Sequence, residues 1–170
     1  MIDIEGLATG PDATILTIAA QGFDPLGKGY YQDHYYYDRI SLESQPDRAI
    51  EQGTIDWWAT QKESQVEAFA EDGRVSLDIA LQNLTRIVNK ATRVWMNGPT
   101  YDATILEHAY KSYQFALPWK YYMVRDARTV YSLYPDLEKP AASHHALEDC
   151  RRQIELLQKC LQHLKIKEIK

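Results

Sequence analysis

Two acids alternate with two isoleucines at the start of the chain, in Ile2-Asp3-Ile4-Glu5. Such alternation reads as a strand, because successive side chains of a strand leave on opposite faces. Ile2 and Ile4 then point to apolar packing, and Asp3 and Glu5 leave together on the other side. Two neighbouring carboxylates repel, so the pair is costly unless a cation neutralises it. Further along, Asp102 follows Asn97-Gly98-Pro99-Thr100-Tyr101, and His144 and Asp149 bracket His145-Ala146-Leu147-Glu148. Each of these acids sits beside apolar or turn residues, where a plain surface charge is less expected. A fold that gathers the three segments makes one pocket of four oxygen-donor acids with a histidine beside them.

Taken singly, each fragment has an ordinary explanation. Asp3 and Glu5 fit a solvated strand end. Asp102 fits a first-turn helix acid favoured by the helix dipole. His144 and Asp149 fit a capping region and a surface acid, and on composition alone His145 competes with His144. The combination is more specific. Magnesium and manganese are hard ions that prefer oxygen ligands. Two of them about 3.5–4 Å apart can clamp the attacking and leaving oxygens of a phosphodiester. An imidazole, with its ordinary pKa near ~6.5, can take a proton from water. The set therefore points to metal-dependent phosphodiester hydrolysis. Structural zinc is disfavoured, because no Cys/His cluster has ligand spacing.

Hydrophobic patterning predicts where these residues sit. Met1–Ile4, Thr14–Phe23 and Tyr30–Ile40 read as strands, the last two as a hairpin around Asp24-Pro25-Leu26-Gly27-Lys28-Gly29. Thr54 is the expected cap of a short helix through Trp57, Trp58 and Gln61. Ser64 and Glu67 have capping-box spacing for the next helix. Ser76 opens an amphipathic helix with Leu77, Ala80, Leu81, Leu84, Ile87 and Val88 on one face. Arg93–Met96 and Tyr121–Val124 read as strands. Tyr101–Tyr113 and Ala127–Tyr134 read as helices. Pro135–Ser143 reads as a loop with Pro135 and Pro140 as breakers. His145–Leu164 is the longest helix, with Leu147, Ile154, Leu157 and Leu161 as its stripe. The tail 165–170 reads as a frayed end. Strands first, then alternating strands and helices, imply a mixed sheet with helices packed on it.

At 170 residues, 45% hydrophobic and 25% charged, the chain suits one soluble domain over residues 1–170. No apolar run reaches the ~18 residues of a transmembrane helix, so no membrane partner is expected. Residues 1–20 lack the basic and apolar regions of a signal peptide. Cys150 and Cys160 fall in one predicted helix, about 15 Å apart at a rise of ~1.5 Å per residue, too far for a bridge. Free thiols suit a reducing cytoplasm. The net charge of −5 argues against a large duplex-DNA grip. A nucleic-acid substrate would be held locally, by metal ions, a few cations and stacking among the 12 Tyr and 4 Trp.

Asp3-Ile4-Glu5, Tyr101-Asp102 and His144-x-Ala146-x-x-Asp149 together resemble the three ordered motifs of the DEDDh 3′–5′ exonucleases. This is the DnaQ-like group that includes proofreading subunits and RNase T. Thr54-Ile55-Asp56-Trp57-Trp58, Trp95-Met96-Asn97-Gly98 and Val124-Arg125-Asp126-Ala127-Arg128-Thr129 resemble a bacterial and phage branch of exoribonuclease-like and exodeoxyribonuclease-like proteins. The resemblance implies an α/β, ribonuclease H-like fold, with a central five-stranded mixed sheet flanked by helices. It implies Asp3, Glu5, Asp102 and Asp149 as ligands of two Mg²⁺ or Mn²⁺ ions, with Asp3 bridging both and Asp102 acting partly through water. The family's histidine lies five residues before the last aspartate, which selects His144 as general base. The related branch with tyrosine four residues before it is excluded, since His145 stands there.

The resemblance also sets expectations for substrate contacts. Tyr101 occupies the aromatic position placed against a terminal base, and Leu7 the position of an apolar wedge. Gly6 replaces a frequent threonine, leaving a backbone contact there. Of Trp57 and Trp58, one is expected to pack inward and the other to face the nucleotide, and Asn97 joins the substrate-binding set. The first strand is shorter than the family's usual one. The implied activity is 3′–5′ removal of nucleotides from single-stranded nucleic acid, RNA ahead of DNA, giving nucleoside 5′-monophosphates. Alternatives are an endonuclease of RNase H type and a catalytically idle binding module, though no carboxylate is missing. The sequence locates no contact to a 2′-hydroxyl. Cations lent by a second copy would suit this acidic chain, which keeps a homodimer among the expectations.

Overall fold

The computed structural model describes residues 1–138 and 141–169. Three antiparallel strands form the first part of the sheet in the order β1 (Ile2–Gly6), β2 (Ile15–Gln21) and β3 (Tyr35–Arg39). Asp3 is opposite Ala19 and Glu5 opposite Thr17, and the register shifts at Gly6. Every residue of β2 is buried. It is the middle strand of the three, with α3 (Leu77–Val88) and α6 (Ala146–His163) packed against it. Five of its seven residues are apolar, as suits a strand covered on both faces.

β4 (Val94–Met96) and β5 (Val124–Asp126) pair in parallel, and β4 lies beside β1. All five expected strands are present, hydrogen-bonded as a three-stranded antiparallel ladder and a two-stranded parallel one. The Ile4 N–H is not in a ladder with β4: the Asp102 carboxylate takes it at 3.1 Å. The remaining helices are α1 (Gln52–Trp58), α2 (Lys62–Ala68), α4 (Pro99–Ser112) and α5 (Ala127–Ser132). The fold is thus α/β, with helices flanking a mixed sheet.

Two apolar layers hold the sheet. Leu77, Ala80, Leu81, Leu84 and Val88 of α3 pack with Ile2, Ile4 and Ile18 on one side. The α6 stripe Leu147, Ile154, Leu157 and Leu161 packs with Ala19 and Trp95 on the other, together with the unbridged Cys150 and Cys160. Each large side chain so buried contributes about 1.5–3 kcal/mol. Both helices follow the 3.6-residue period of their sequences.

Several local expectations are corrected. β3 starts at Tyr35, because Gln21 Nε2 donates to the carbonyls of Tyr31 and His34 and holds Tyr30–His34 in a turn. Helix α1 begins at Gln52, before Thr54, without a side-chain cap. Helix α2 begins at Lys62, so Ser64 does not cap it; its hydroxyl donates to the Ser143 carbonyl and ties α2 to the loop before α6. Residues Tyr121–Met123 form a 3-10 turn, and the strand starts only at Val124. Pro140 and the terminal Lys170 lie outside the described residues. Among the described residues, no helix is long and apolar enough to cross a membrane.

Candidate active site

The alternation in β1 divides it as the sequence predicts. Ile2 and Ile4 are buried in the core, and Asp3 and Glu5 stand half-buried on the other face. They line a cleft of about 500 Å³. Asp102 reaches the same cleft from the first turn of α4. Gly98 turns the chain from β4 into that helix at a φ of +103°, which favours glycine, and Pro99 then fills the first helical position. Asp102 is only 4% exposed. Its bond from Ile4 N–H fixes the acid against β1.

Asp149 enters from the first turns of α6 and is 7% exposed. Its Oδ1 accepts from the Ser143 N–H at 2.9 Å, the Ser143 hydroxyl at 2.9 Å and Arg152 Nη1 at 3.2 Å. Its Oδ2 accepts from the His144 N–H at 2.9 Å, which leaves that oxygen lone-pair capacity for a cation. These bonds draw residues 143 and 144 back toward the helix. His144 takes a φ of +53°, a left-handed conformation that a non-glycine residue adopts at a cost of about 1–3 kcal/mol. The turn separates two adjacent histidines. His144 lines the cleft, while His145 stacks on Tyr37 with ring centres 4.7 Å apart.

Glu5, His144 and Asp149 each offer a ligand atom within 4.8 Å of the others. Asp3 and Asp102 border the same cleft. Burial leaves Asp3, Glu5 and Asp102 hard to ionise. Burial, then repulsion by Asp102 and Glu5, holds Asp3 well above the usual carboxylate range. Burial, then Asp149 and Asp102, pushes Glu5 to about 8. Burial raises Asp102 to about 7, against the pull of the Ile4 N–H and Arg128. A carboxylate-rich set of this kind fits a hard divalent cation, whose charge would relieve the repulsion. Glu5, His144 and Asp149 could together hold one such ion.

The aromatic expectations divide. Trp58 is 1% exposed and donates its Nε1–H to the Gly6 carbonyl at 3.1 Å. It holds the end of β1 and does not line the cleft, which corrects its place among the substrate contacts. Leu7 is likewise enclosed, with Leu16, Trp58 and Ala68, and is no wedge. Trp57 is 40% exposed and stands at right angles to the His144 ring, 4.8 Å away. Tyr101 lines both the acid cleft and an adjoining pocket of about 540 Å³ that reaches Gly6 and Trp57. A Cβ at Gly6 would lie 2.9 Å from the Tyr101 hydroxyl, so the small residue and the phenol fit each other. Asn97 borders the cleft, and its carbonyl accepts from Arg128 Nη2 at 3.0 Å.

Arg128, Arg152 and Gln153 also line the cleft, and sequence reasoning did not single them out. Gln153 Nε2 donates to Asp3 Oδ1 at 2.8 Å. Arg152 and Gln153 lie three and four residues after Asp149, on the same side of a helix, so helical spacing was the available signal.

A mixed sheet with acids converging on one cleft is ribonuclease H-like architecture. The chain belongs to the 3′-5′ exoribonuclease Rv2179c-like domain family, which it matches over residues 1–161. The crystal structure of cell-death related nuclease 4 (CRN-4) has a similar fold, with a TM-score of 0.59 at 12% identity. The alignment covers 95% of this chain and 63% of that one, so this chain spans less than two thirds of that nuclease. No curated protein matches the sequence.

Proposed function

We propose that this protein removes nucleotides one at a time from the 3′ end of single-stranded nucleic acid, RNA ahead of DNA. The carrying observation is the approach of Glu5, His144 and Asp149 within 4.8 Å, in a cleft that Asp3 and Asp102 also border. Asp3, Glu5, Asp102 and Asp149 would hold two Mg²⁺ or Mn²⁺ ions. When bound, the ions supply the positive charge that stabilises the phosphate in the transition state. His144 takes the proton of the attacking water. The water oxygen bonds to phosphorus, the bond from phosphorus to the 3′ oxygen breaks, and that oxygen gains a proton. The product is a nucleoside 5′-monophosphate.

The other residues orient this chemistry. Asp149 shapes the turn that presents His144, and Trp57 braces the imidazole ring from the side. Gln153 orients Asp3. Arg128 and Arg152 add positive charge to a cleft that must admit a phosphate. Tyr101 and Trp57 offer surfaces for a terminal base, where stacking contributes about 1–3 kcal/mol and tolerates any sequence. Two cysteines without a disulfide suit action in the cytoplasm.

The test uses 5′-labelled RNA and DNA strands with Mg²⁺ or Mn²⁺, resolved nucleotide by nucleotide. A ladder shortening from the 3′ end, lost in Glu5→Gln, is the expected result. Cutting of a circular single strand would instead support an endonuclease. Metal-independent shortening, or none at all, would contradict the proposal.

A further inference from the structure

The pocket beside the acid cleft contains a carboxylate that the hydrolysis above does not use. Its lining includes Glu5, Gly6, Thr9, Glu51, Trp57 and Tyr101. Glu5 and Tyr101 also border the acid cleft. What fills this pocket is therefore joined to what fills the cleft. With a scissile phosphate among the acids, that neighbour is the 3′-terminal nucleoside, so the argument rests on the proposed exonuclease reading.

Glu51 precedes α1 and is held in place from across the pocket. Thr9 donates its N–H to Glu51 Oε2 at 3.1 Å. The Thr9 hydroxyl reaches the same oxygen at 3.1 Å, and Oε1 only at 3.4 Å. Oε1 thus keeps most of its acceptor capacity. Among the described residues Glu51 forms no ion pair. Glu51 is exposed at the pocket rim, and a carboxylate held there by Thr9 repels phosphate and suits a neutral, donor-bearing part of the nucleotide. The ribose is covalently next to the phosphate and offers hydroxyls, and a carboxylate accepting from ribose hydroxyls is an established recognition device. The base has a separate place against the half-exposed Trp57, beside Gly53, where the backbone is open. We infer that Glu51 is a specificity determinant that accepts hydrogen bonds from the 2′- and 3′-hydroxyls of the terminal nucleotide, and so selects ribonucleotide over deoxyribonucleotide ends. The 2′-hydroxyl is the group by which a protein tells the two apart.

Four RNA strands of one sequence, differing only in a terminal ribo-, 2′-deoxy-, 2′-O-methyl- or 3′-deoxynucleotide, test this with the wild-type protein and Mn²⁺. Removal of the ribonucleotide should exceed removal of the 2′-deoxynucleotide by about tenfold, the size of one charge-assisted hydrogen bond in a partly open site. Glu51→Gln, checked for an unchanged melting temperature, should bring that ratio near unity. Equal wild-type rates on the first two ends overturn the assignment even if the variant does not fold. So does a Glu51→Gln protein that keeps the wild-type ratio, or one whose loss follows the identity of the base and not the sugar. Failure to shorten any of the four overturns the exonuclease reading itself, and this inference with it.

Discussion

The two faces of β1 are one residue apart in sequence and opposite in energetics. Ile2 and Ile4 are buried against α3 and strengthen the fold. Asp3 and Glu5, between and beside them, are crowded by Asp102 and Asp149 and resist ionising. One face of the strand serves stability, and the other spends some of it to concentrate negative charge where a cation can sit. The contrast shows why a five-residue strand can carry a site: its core face supplies the rigidity its acidic face lacks.

The sharpest way to break that comparison is to remove a charge without changing shape. Asp3→Asn should lower exonuclease turnover by on the order of a thousandfold or more. It should leave the metal-free melting temperature unchanged or higher. A variant that loses stability and keeps activity would assign Asp3 to the fold and not to the chemistry. Next, His144→Gln should reduce turnover by roughly a hundred- to ten-thousandfold. His145→Gln should change it little, because that ring stacks on Tyr37 away from the cleft. The reverse ranking would transfer the general-base role to His145.

On the core face, Ile4→Ala should cost about 2–5 kcal/mol in denaturant unfolding, through lost burial and the cavity left behind. A cost below ~1 kcal/mol would mean that the core face does not carry the strand. The acidic face predicts a pH dependence of the opposite sign to ordinary acid denaturation. Glu5, raised from 4.5 to about 8, and Asp102, raised from 3.8 to about 7, bind protons more tightly in the folded state. Their contribution to metal-free stability is fully present below their unfolded values and is lost as pH rises through about 7 to 8. Metal-free melting temperatures should therefore fall between pH 5.5 and 8.0 by a few degrees, and Glu5→Gln should flatten the slope. Added Mn²⁺ should restore more stability at pH 8.0 than at pH 5.5. The smallest effect concerns the end of the strand. Gly6→Ala should cost about 1 kcal/mol from the close approach of Tyr101. Tyr101→Phe in the same chain should recover part of it, whereas simple additivity would refute the pairing.

Legibility in the sequence followed the same division. Period-two alternation placed Asp3 and Glu5 together, and the 3.6-residue period placed the α3 and α6 stripes, because those patterns record which face is buried. The converging of Asp102 and Asp149 on β1 was reachable only through ordered motifs, since nothing local says which strand a helix start will meet. Trp57 and Trp58 could not be separated, because adjacent helical residues differ in exposure only once a partner surface exists; Trp58 finds the Gly6 carbonyl. Leu7 was misplaced for a similar reason, since Leu16 of β2, Trp58 of α1 and Ala68 of α2 close over it. The left-handed His144 has no local signature either. It follows from the bonds of residues 143 and 144 to Asp149, six and five residues ahead. Glu51 was passed over because its interest lies in a contact with Thr9, 42 residues away.

Calorimetric titration of Mn²⁺ into the wild-type protein and into Glu5→Gln at pH 7.5 tests the cation site most directly. The wild type should bind the ion and release protons from the acids that burial had kept protonated, and Glu5→Gln should bind it far more weakly. No binding by the wild type, or equal binding by both, would contradict a cation site built on the acidic face of β1.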